Sequence, residues 1–199
     1  MPLFSHATAS PWLTIRDGRL LWIHNFLSAE QADVAYQRLL LELNWQQQAI
    51  RLFGKSVMQP RLHAWYGDKS YRYSGLHLPP QPWSEVLLPL KQRSEQATGS
   101  QFNSVLANLY RHGQDSMGWH QDNEPELGHQ PVIASLSLGA TRRFALRHIQ
   151  SKEKLTFELS HGSLLVMAGD TQHCWQHAIP KTRQACQPRI NLTFRQIID

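Results

Sequence analysis

The sequence predicts a mainly β, α+β domain, an antiparallel sandwich or jelly roll with two helices ahead of it. Three observations carry that prediction. From residue 103 onward, short β-prone stretches alternate with turn residues. Before residue 100, apolar residues recur at helical spacing in only two places. The 199 residues, 41% hydrophobic and 18% charged, suit one well-buried domain and exclude disorder, collagen-like repeats and coiled coil.

Taken in order, Trp12 to Arg16 and Leu20 to Ile23 flank the turn dipeptide Asp17-Gly18, which predicts a hairpin. Ser28-Ala29-Glu30-Gln31 fits a capping box, and Val34, Ala35, Leu39 and Leu43 follow at helical spacing. Residues 1–47 are thus an N-terminal hairpin and helix. From Gln48 to Gly75 the chain is rich in Arg, Lys, Tyr and Gly with little periodicity, which predicts hairpins and loops over 48–80. A second helix falls around Ser84 to Ala97, within 81–100, with Pro89 near its first turn and Gly99 as its stop. The remainder, 101–199, reads as a β core with strands at 103–110, 132–138, 142–148, 154–159, 163–167, 173–178 and 189–197. All of these belong to a single domain, 1–199.

The 20 Lys+Arg against 15 Asp+Glu favour a polyanionic partner, and 7 Trp with 5 Tyr add surfaces on which bases could stack. The longest apolar run, Leu164 to Ala168, is far too short to cross a bilayer, so no membrane partner is expected. The first residues, MPLFSHATASPW, lack a basic stretch followed by an apolar one. With Cys174 and Cys186 as the only cysteines, the expectation is a cytoplasmic protein with reduced thiols, acting at the nucleoid if bacterial, and monomeric.

Two strands carry polar faces. In 105–110, Asn108 and Tyr110 share one side; in 189–195, Arg189, Asn191, Thr193 and Arg195 do. Between them stands His120-Gln121-Asp122, the chain's one His-x-Asp. On an extended segment, residues i and i+2 point the same way, so an imidazole and a carboxylate can reach one metal ion. A third ligand must come from elsewhere, and His173 and His177 both fall on a late strand. Two His and one carboxylate leave coordination positions open, the arrangement of non-heme Fe(II) oxygenases.

Asn108-Leu109-Tyr110, His120-Gln121-Asp122-Asn123-Glu124, His161-Gly162-Ser163-Leu164-Leu165, His177 and Arg189-Ile190-Asn191-Leu192-Thr193-Phe194-Arg195 resemble, in order and spacing, the AlkB family of Fe(II)- and 2-oxoglutarate-dependent dioxygenases. The likeness runs from about residue 50 to the C-terminus. Upstream, Leu52-Phe53-Gly54-Lys55, Tyr66-Gly67-Asp68 and Tyr71-Arg72-Tyr73-Ser74-Gly75 are similar to the lid of the members that repair duplex nucleic acid. The resemblance implies a double-stranded β-helix, or jelly roll, with N-terminal helices and a nucleotide-recognition lid. It also implies Fe(II), with 2-oxoglutarate and O2 as co-substrates. His120, Asp122 and His177 would bind the metal, His177 being preferred because it precedes Ala178-Ile179-Pro180, and His173 would be structural. Arg189 would hold the distal carboxylate of 2-oxoglutarate through its planar fork, with Arg195, Asn191, Asn108 and Tyr110 completing that pocket.

The activity so implied is oxidative demethylation of 1-methyladenine or 3-methylcytosine in DNA, coupled to 2-oxoglutarate decarboxylation, with release of formaldehyde and succinate. Such a base must be flipped out of a duplex. Tyr73 and the ring of His120 would sandwich it, with Tyr71 and Ser74 alongside and Glu124 accepting hydrogen bonds near a cationic base. Phe53 would fill the gap in the stack, while Arg51, Lys55 and Arg61 would hold phosphates. The second Asp that duplex-repairing animal members carry after the iron-binding Asp is Asn123 here. Double-stranded DNA is the partner expected first, then single-stranded DNA. The alternatives are the same chemistry on RNA or tRNA and a catalytically silent module that binds damaged bases.

Overall fold

A computed structural model describes residues 12–52, 55–73 and 76–198. It begins with β1 (Leu13–Ile15) and β2 (Gly18–Ile23), paired across Arg16-Asp17, and then α1 (Ala29–Glu42). The capping box forms: the Gln31 N–H donates to Ser28 Oγ at 3.2 Å and the Ser28 N–H to Gln31 Oε1 at 3.1 Å. Two hairpins and a longer strand follow: β3 (Ala49–Leu52) with β4 (Lys55–Met58), β5 (Leu62–Gly67), and β6 (Tyr71–Tyr73) with β7 (Leu76–Leu78). α2 (Leu87–Thr98) starts later than expected because the backbone carbonyl of Ser84 receives the Leu87 and Leu88 N–H groups. It stops at Gly99, whose φ of 69° returns its N–H to the Glu95 carbonyl at 2.8 Å.

The core strands are β8 (Ser104–Tyr110), β9 (Met117–His120), β10 (Ile133–Gly139), β11 (Arg142–His148), β12 (Lys154–Leu159) and β13 (Ser163–Ala168). After them come α3 (Thr171–Cys174), β14 (Trp175–Ile179) and β15 (Arg189–Arg195). They build a seven-stranded sheet, β1-β2-β13-β10-β15-β8-β5, and a four-stranded sheet, β12-β11-β14-β9. Every strand pairing within the two sheets is antiparallel, as expected of a jelly roll.

Two apolar clusters explain the layering. Val105, Ala107, Leu109, Ile190, Leu192 and Phe194 pack outward against α1 and α2 with Ala35, Leu39, Leu87 and Leu90. Leu106, Tyr110, Phe144, Leu146, Leu165 and Trp175 fill the space between the sheets. β8 and β15 are therefore buried along their whole length. Their polar alternation faces the interior, because helices cover the other face.

Three expectations are corrected. The stretch 173–178 is not one strand, for the Asp170 carbonyl accepts the His173 and Cys174 N–H groups at 2.9 Å each and coils His173 into α3. β5, expected among the hairpins and loops of 48–80, is the edge of the large sheet, and β2 also joins that sheet, so it extends beyond 101–199. β9 was not foreseen. Among the described residues no helix is long and apolar enough to cross a membrane.

One turn links this frame to the interior. Gly139, at φ 86°, pairs with Arg189, and a Cβ there would stand 2.5 Å from the Pro188 carbonyl oxygen and 3.3 Å from the Arg189 Cα. Gly139→Ala is expected to lower unfolding stability by about 1–3 kcal/mol, measured by denaturant titration.

Candidate active site

The interior between the sheets narrows to a cavity where β8, β9, β14 and β15 converge. His120 ends β9 and lies in register with His177 of β14, which brings their rings to 4.1 Å between centroids. Asp122 follows on the extended segment, its Oδ1 3.8 Å from His120 Nε2. One ligand atom from each of His120, Asp122 and His177 lies within 4.8 Å of the others. His120 Nδ1 donates to the Gly118 carbonyl at 2.9 Å, which leaves the Nε2 lone pair aimed at the cluster. Burial lowers the pKa of both imidazoles, that of His177 to about 3, so both are neutral and able to coordinate.

Asp122 is 2% exposed. Burial pushes its carboxyl up, but the Arg195 guanidinium and then the two imidazoles hold it well below the ordinary carboxylate range. The Arg195 pair is short, Nη2 to Oδ2 at 2.9 Å, and Asp122 Oδ1 has no hydrogen-bond partner. The Asp122 backbone N–H donates to Gln172 Oε1 at 3.0 Å, and Gln121 Nε2 donates back to the Gln172 carbonyl at 2.8 Å. The metal-facing loop and α3 are thereby stitched together.

Deeper in, Arg189 is 1% exposed, and no carboxylate among the described residues is within ion-pair reach of it. Nη2 donates to Ser137 Oγ at 2.9 Å, while Nε and Nη1 are buried and unpartnered. Burial, with help from nearby Arg142, pushes this guanidinium down to about 10, so it stays cationic at neutral pH. The Tyr110 ring sits beneath it at 5.3 Å. Asn191, bonded through Nδ2 to Ser135 Oγ at 2.8 Å, and Thr193 line the same space. Ser135 and Met167, which line the cavity, and Ser137, which holds Arg189, are residues that the sequence reading missed, although the alternating serines of Ser135-Leu136-Ser137 carried a signal.

On the lid side, agreement is partial. Arg61 does not hold a phosphate: it is 3% exposed and donates from Nε to Asn108 Oδ1 at 2.6 Å, inside the cavity. Tyr71 is 1% exposed, stacked on Trp65 at 4.8 Å and overlain by Arg195 at 5.6 Å, so it is a wall of the site and offers no free face to a base. Glu124 neighbours the Tyr71 hydroxyl, and burial raises its pKa. Phe53 and Ser74 lie outside the described residues, as do the side chains of Arg51, Lys55 and Tyr73. His173 is exposed, with its ring 5.8 Å from that of His129 and away from the cluster.

Residues 19–195 match the 2OG-Fe(II) oxygenase superfamily, a span that contains every cavity residue named above. The "Alpha-ketoglutarate-dependent dioxygenase alkB homolog 3" of Bos taurus is 44% identical over 182 residues, 86% of this chain and 64% of the relative. "DNA oxidative demethylase ALKBH2" of Homo sapiens is 38% identical over 207 residues, 97% of this chain and 79% of the relative. The chain belongs to the AlkB family. It spans 64% of the length of the Bos taurus alkB homolog 3. A solved structure, "The structure of OsALKBH1", superposes with a TM-score of 0.66 at 19% identity, covering 92% of this chain and 100% of that one, and shows the same fold.

The AlkB-family cofactors, Fe(II) and 2-oxoglutarate with O2, can be tested against the residues present. Among the unsatisfied buried atoms are ones these groups need, Asp122 Oδ1 at one end and Arg189 Nε and Nη1 at the other, and the His120 lone pair stands beside the first. They fit. A second cluster, Asp17, His148 and Cys174, also brings ligand atoms within 4.8 Å, but it does not suit a metal. His148 Nδ1 accepts the Ser151 N–H at 3.0 Å, so Nε2 keeps its proton and donates to Asp17 Oδ2 at 3.0 Å. Both nitrogens are committed.

Arg195→Met removes the one cation hydrogen-bonded to Asp122 among the described residues and leaves a buried carboxylate. It is expected to cost about 3–5 kcal/mol in metal-free protein, measured by urea unfolding, with part of the loss restored by a divalent ion.

Proposed function

We propose that this chain is an oxidative demethylase of N-alkylated bases such as 1-methyladenine and 3-methylcytosine in DNA. The observation that carries the reading is Arg189, a buried cation without an acid partner among the described residues, facing a His120, Asp122 and His177 cluster across one cavity. The name of the 38%-identical ALKBH2 relative, a DNA oxidative demethylase, supports the substrate class. In this reading His120, Asp122 and His177 would hold Fe(II), and Arg189 would take the distal carboxylate of 2-oxoglutarate. Asn191 and Tyr110 shape that end, Asn108 fixes Arg61, and Arg195 locks Asp122 in its charged form.

Bound Fe(II) with 2-oxoglutarate and O2 supplies the oxidation that turns an N-methyl group into an N-hydroxymethyl group, releasing succinate and CO2. The protein's part is position. The acidic neighbours Asp122 and Glu124 favour a cationic base, and the flipped base enters beside His120. The hydroxymethyl group then leaves as formaldehyde, which restores the base. Phe53 acts as a wedge in duplex DNA.

Mass spectrometry of oligonucleotides carrying either lesion, as DNA and RNA and as single strand and duplex, tests this with Fe(II), 2-oxoglutarate and ascorbate. Loss of 14 Da (CH2 per methyl removed), dependent on 2-oxoglutarate, is expected, with DNA turned over best; faster turnover of RNA would overturn the DNA assignment. Binding without any turnover would make the chain a damage-recognition module. Arg189→Lys is expected to raise the 2-oxoglutarate requirement at least about tenfold with Fe(II) affinity unchanged, because Lys cannot offer the paired donors. Phe53→Ala should cost more activity on duplex than on single strands, and equal losses would remove the wedge role.

A further inference from the structure

A cleft of about 250 Å³ lies outside the reaction cavity, along the free edge of β5. It opens between two short bridges, Gln46 with His63 and Tyr66 with Gln81. Its described lining contains Asn44, Gln46, Gln48, His63 and Gln81, with Leu78 and Pro79 as an apolar wall, and no Asp, Glu, Lys or Arg. A pocket in a protein with net charge +5 that presents only neutral polar groups calls for a neutral polar ligand.

These groups orient one another. His63 exchanges both backbone bonds with Gln46, at 2.8 and 2.9 Å, so alternate residues of β5 turn their peptide groups toward the cleft. The Trp65 carbonyl accepts from Gln81 Nε2 at 3.2 Å, and strand alternation from His63, bonded to Gln46, and Gly67, bonded to Gln81, turns the Trp65 N–H to the same side. Asn44 Nδ2 donates to Gln81 Oε1 at 3.5 Å, which leaves Asn44 Oδ1 as a spare acceptor. Opposite, His63 Nε2 donates to Gln48 Oε1 at 3.3 Å and Gln48 Nε2 donates to Gln46 Oε1 at 3.1 Å, which leaves Gln46 Nε2 as a spare donor. His63 is 4% exposed and its Nδ1 is unpartnered. The cleft therefore displays an acceptor on one wall and a donor on the other, with a backbone N–H between them and the unpartnered His63 Nδ1 buried behind.

A planar neutral group with adjacent donors and acceptors satisfies that display, and a nucleobase edge has this character. An added peptide strand does not, because it needs a run of free edge groups and those of His63 and the Gly67 N–H are already bonded. The cleft also borders the lid, since Gln48 leads into β3 and Leu78 ends β7. We propose that this cleft binds an undamaged, unpaired base of the same nucleic acid whose damaged base occupies the cavity. The assignment rests on the nucleic-acid reading above.

The test titrates the full chain, metal-free, with an undamaged single-stranded tetranucleotide, following the Trp65 backbone amide and the Asn44 and Gln46 side-chain amides by ¹H–¹⁵N NMR. Those signals are expected to shift, and Asn44→Ala and Gln46→Ala to weaken tetranucleotide binding about 2- to 10-fold each. Turnover of a methylated mononucleotide, which cannot span both sites, should be unchanged in both variants. Absence of shifts at Trp65, or unchanged affinity in both variants, would show that the cleft holds only water and overturn the proposal. Shifts caused by a short peptide and not by the tetranucleotide would overturn it as well. Failure of the unsubstituted chain to demethylate any substrate, with the tetranucleotide still seated at Trp65, would instead count against the reaction and leave the cleft.

Discussion

Three guanidinium groups, those of Arg61, Arg189 and Arg195, and the Asp122 carboxylate are buried in the space between two sheets, and the rest of the structure is arranged around keeping them there. Each buried ion costs several kcal/mol to desolvate, in the order-of-magnitude sense. Asp122 and Arg195 offset that cost through their 2.9 Å bond. Arg189 has no such partner among the described residues, only Ser137 and the Tyr110 ring. An anion arriving from outside would compensate that cation, which is the role the proposed function gives Arg189.

That demand explains the layering. β8 and β15 present apolar residues to α1 and α2 and polar ones to the cavity, so their backbones lie between two packed layers and cannot shift without exposing one. The cluster of His120, Asp122 and His177 is held by a different device. His120 and His177 are set by strand register, whereas Asp122 lies beyond the end of β9 and depends on Gln172 and Arg195 for its place. The short helix α3 exists at the point where the chain must bring Gln172 under that loop before entering β14.

Much of this was legible because period-two alternation survives burial when one face is polar. Arg189, Asn191, Thr193 and Arg195 read as one face and lie on one wall. The capping box of α1 and the glycine stop of α2 are local chemistry, and both formed as read. β5 was not legible as a sheet member, since Ala64, Trp65 and Tyr66 are buried on both faces and leave no alternation to read. His173 was misplaced because a four-residue helix has no periodicity of its own. Arg61 and Tyr71 looked like substrate contacts in a basic, aromatic stretch, yet pairing of β5 with β8 and stacking on Trp65 drew them inside.

The sequence by itself determined the family, the jelly-roll class, and the spacing that makes His120, Asp122, His177, Arg189 and Arg195 candidates for one site. Those properties reside in residue type and interval, which a linear pattern retains. Only the tertiary structure decided which charges are paired, that Arg189 is left without an acid among the described residues while Arg195 is taken by Asp122, and that His148 is committed to Asp17 and Ser151. Those outcomes depend on distances between segments far apart in the chain, and an ion pair or a hydrogen bond is settled within a few tenths of an ångström by packing that no single segment encodes.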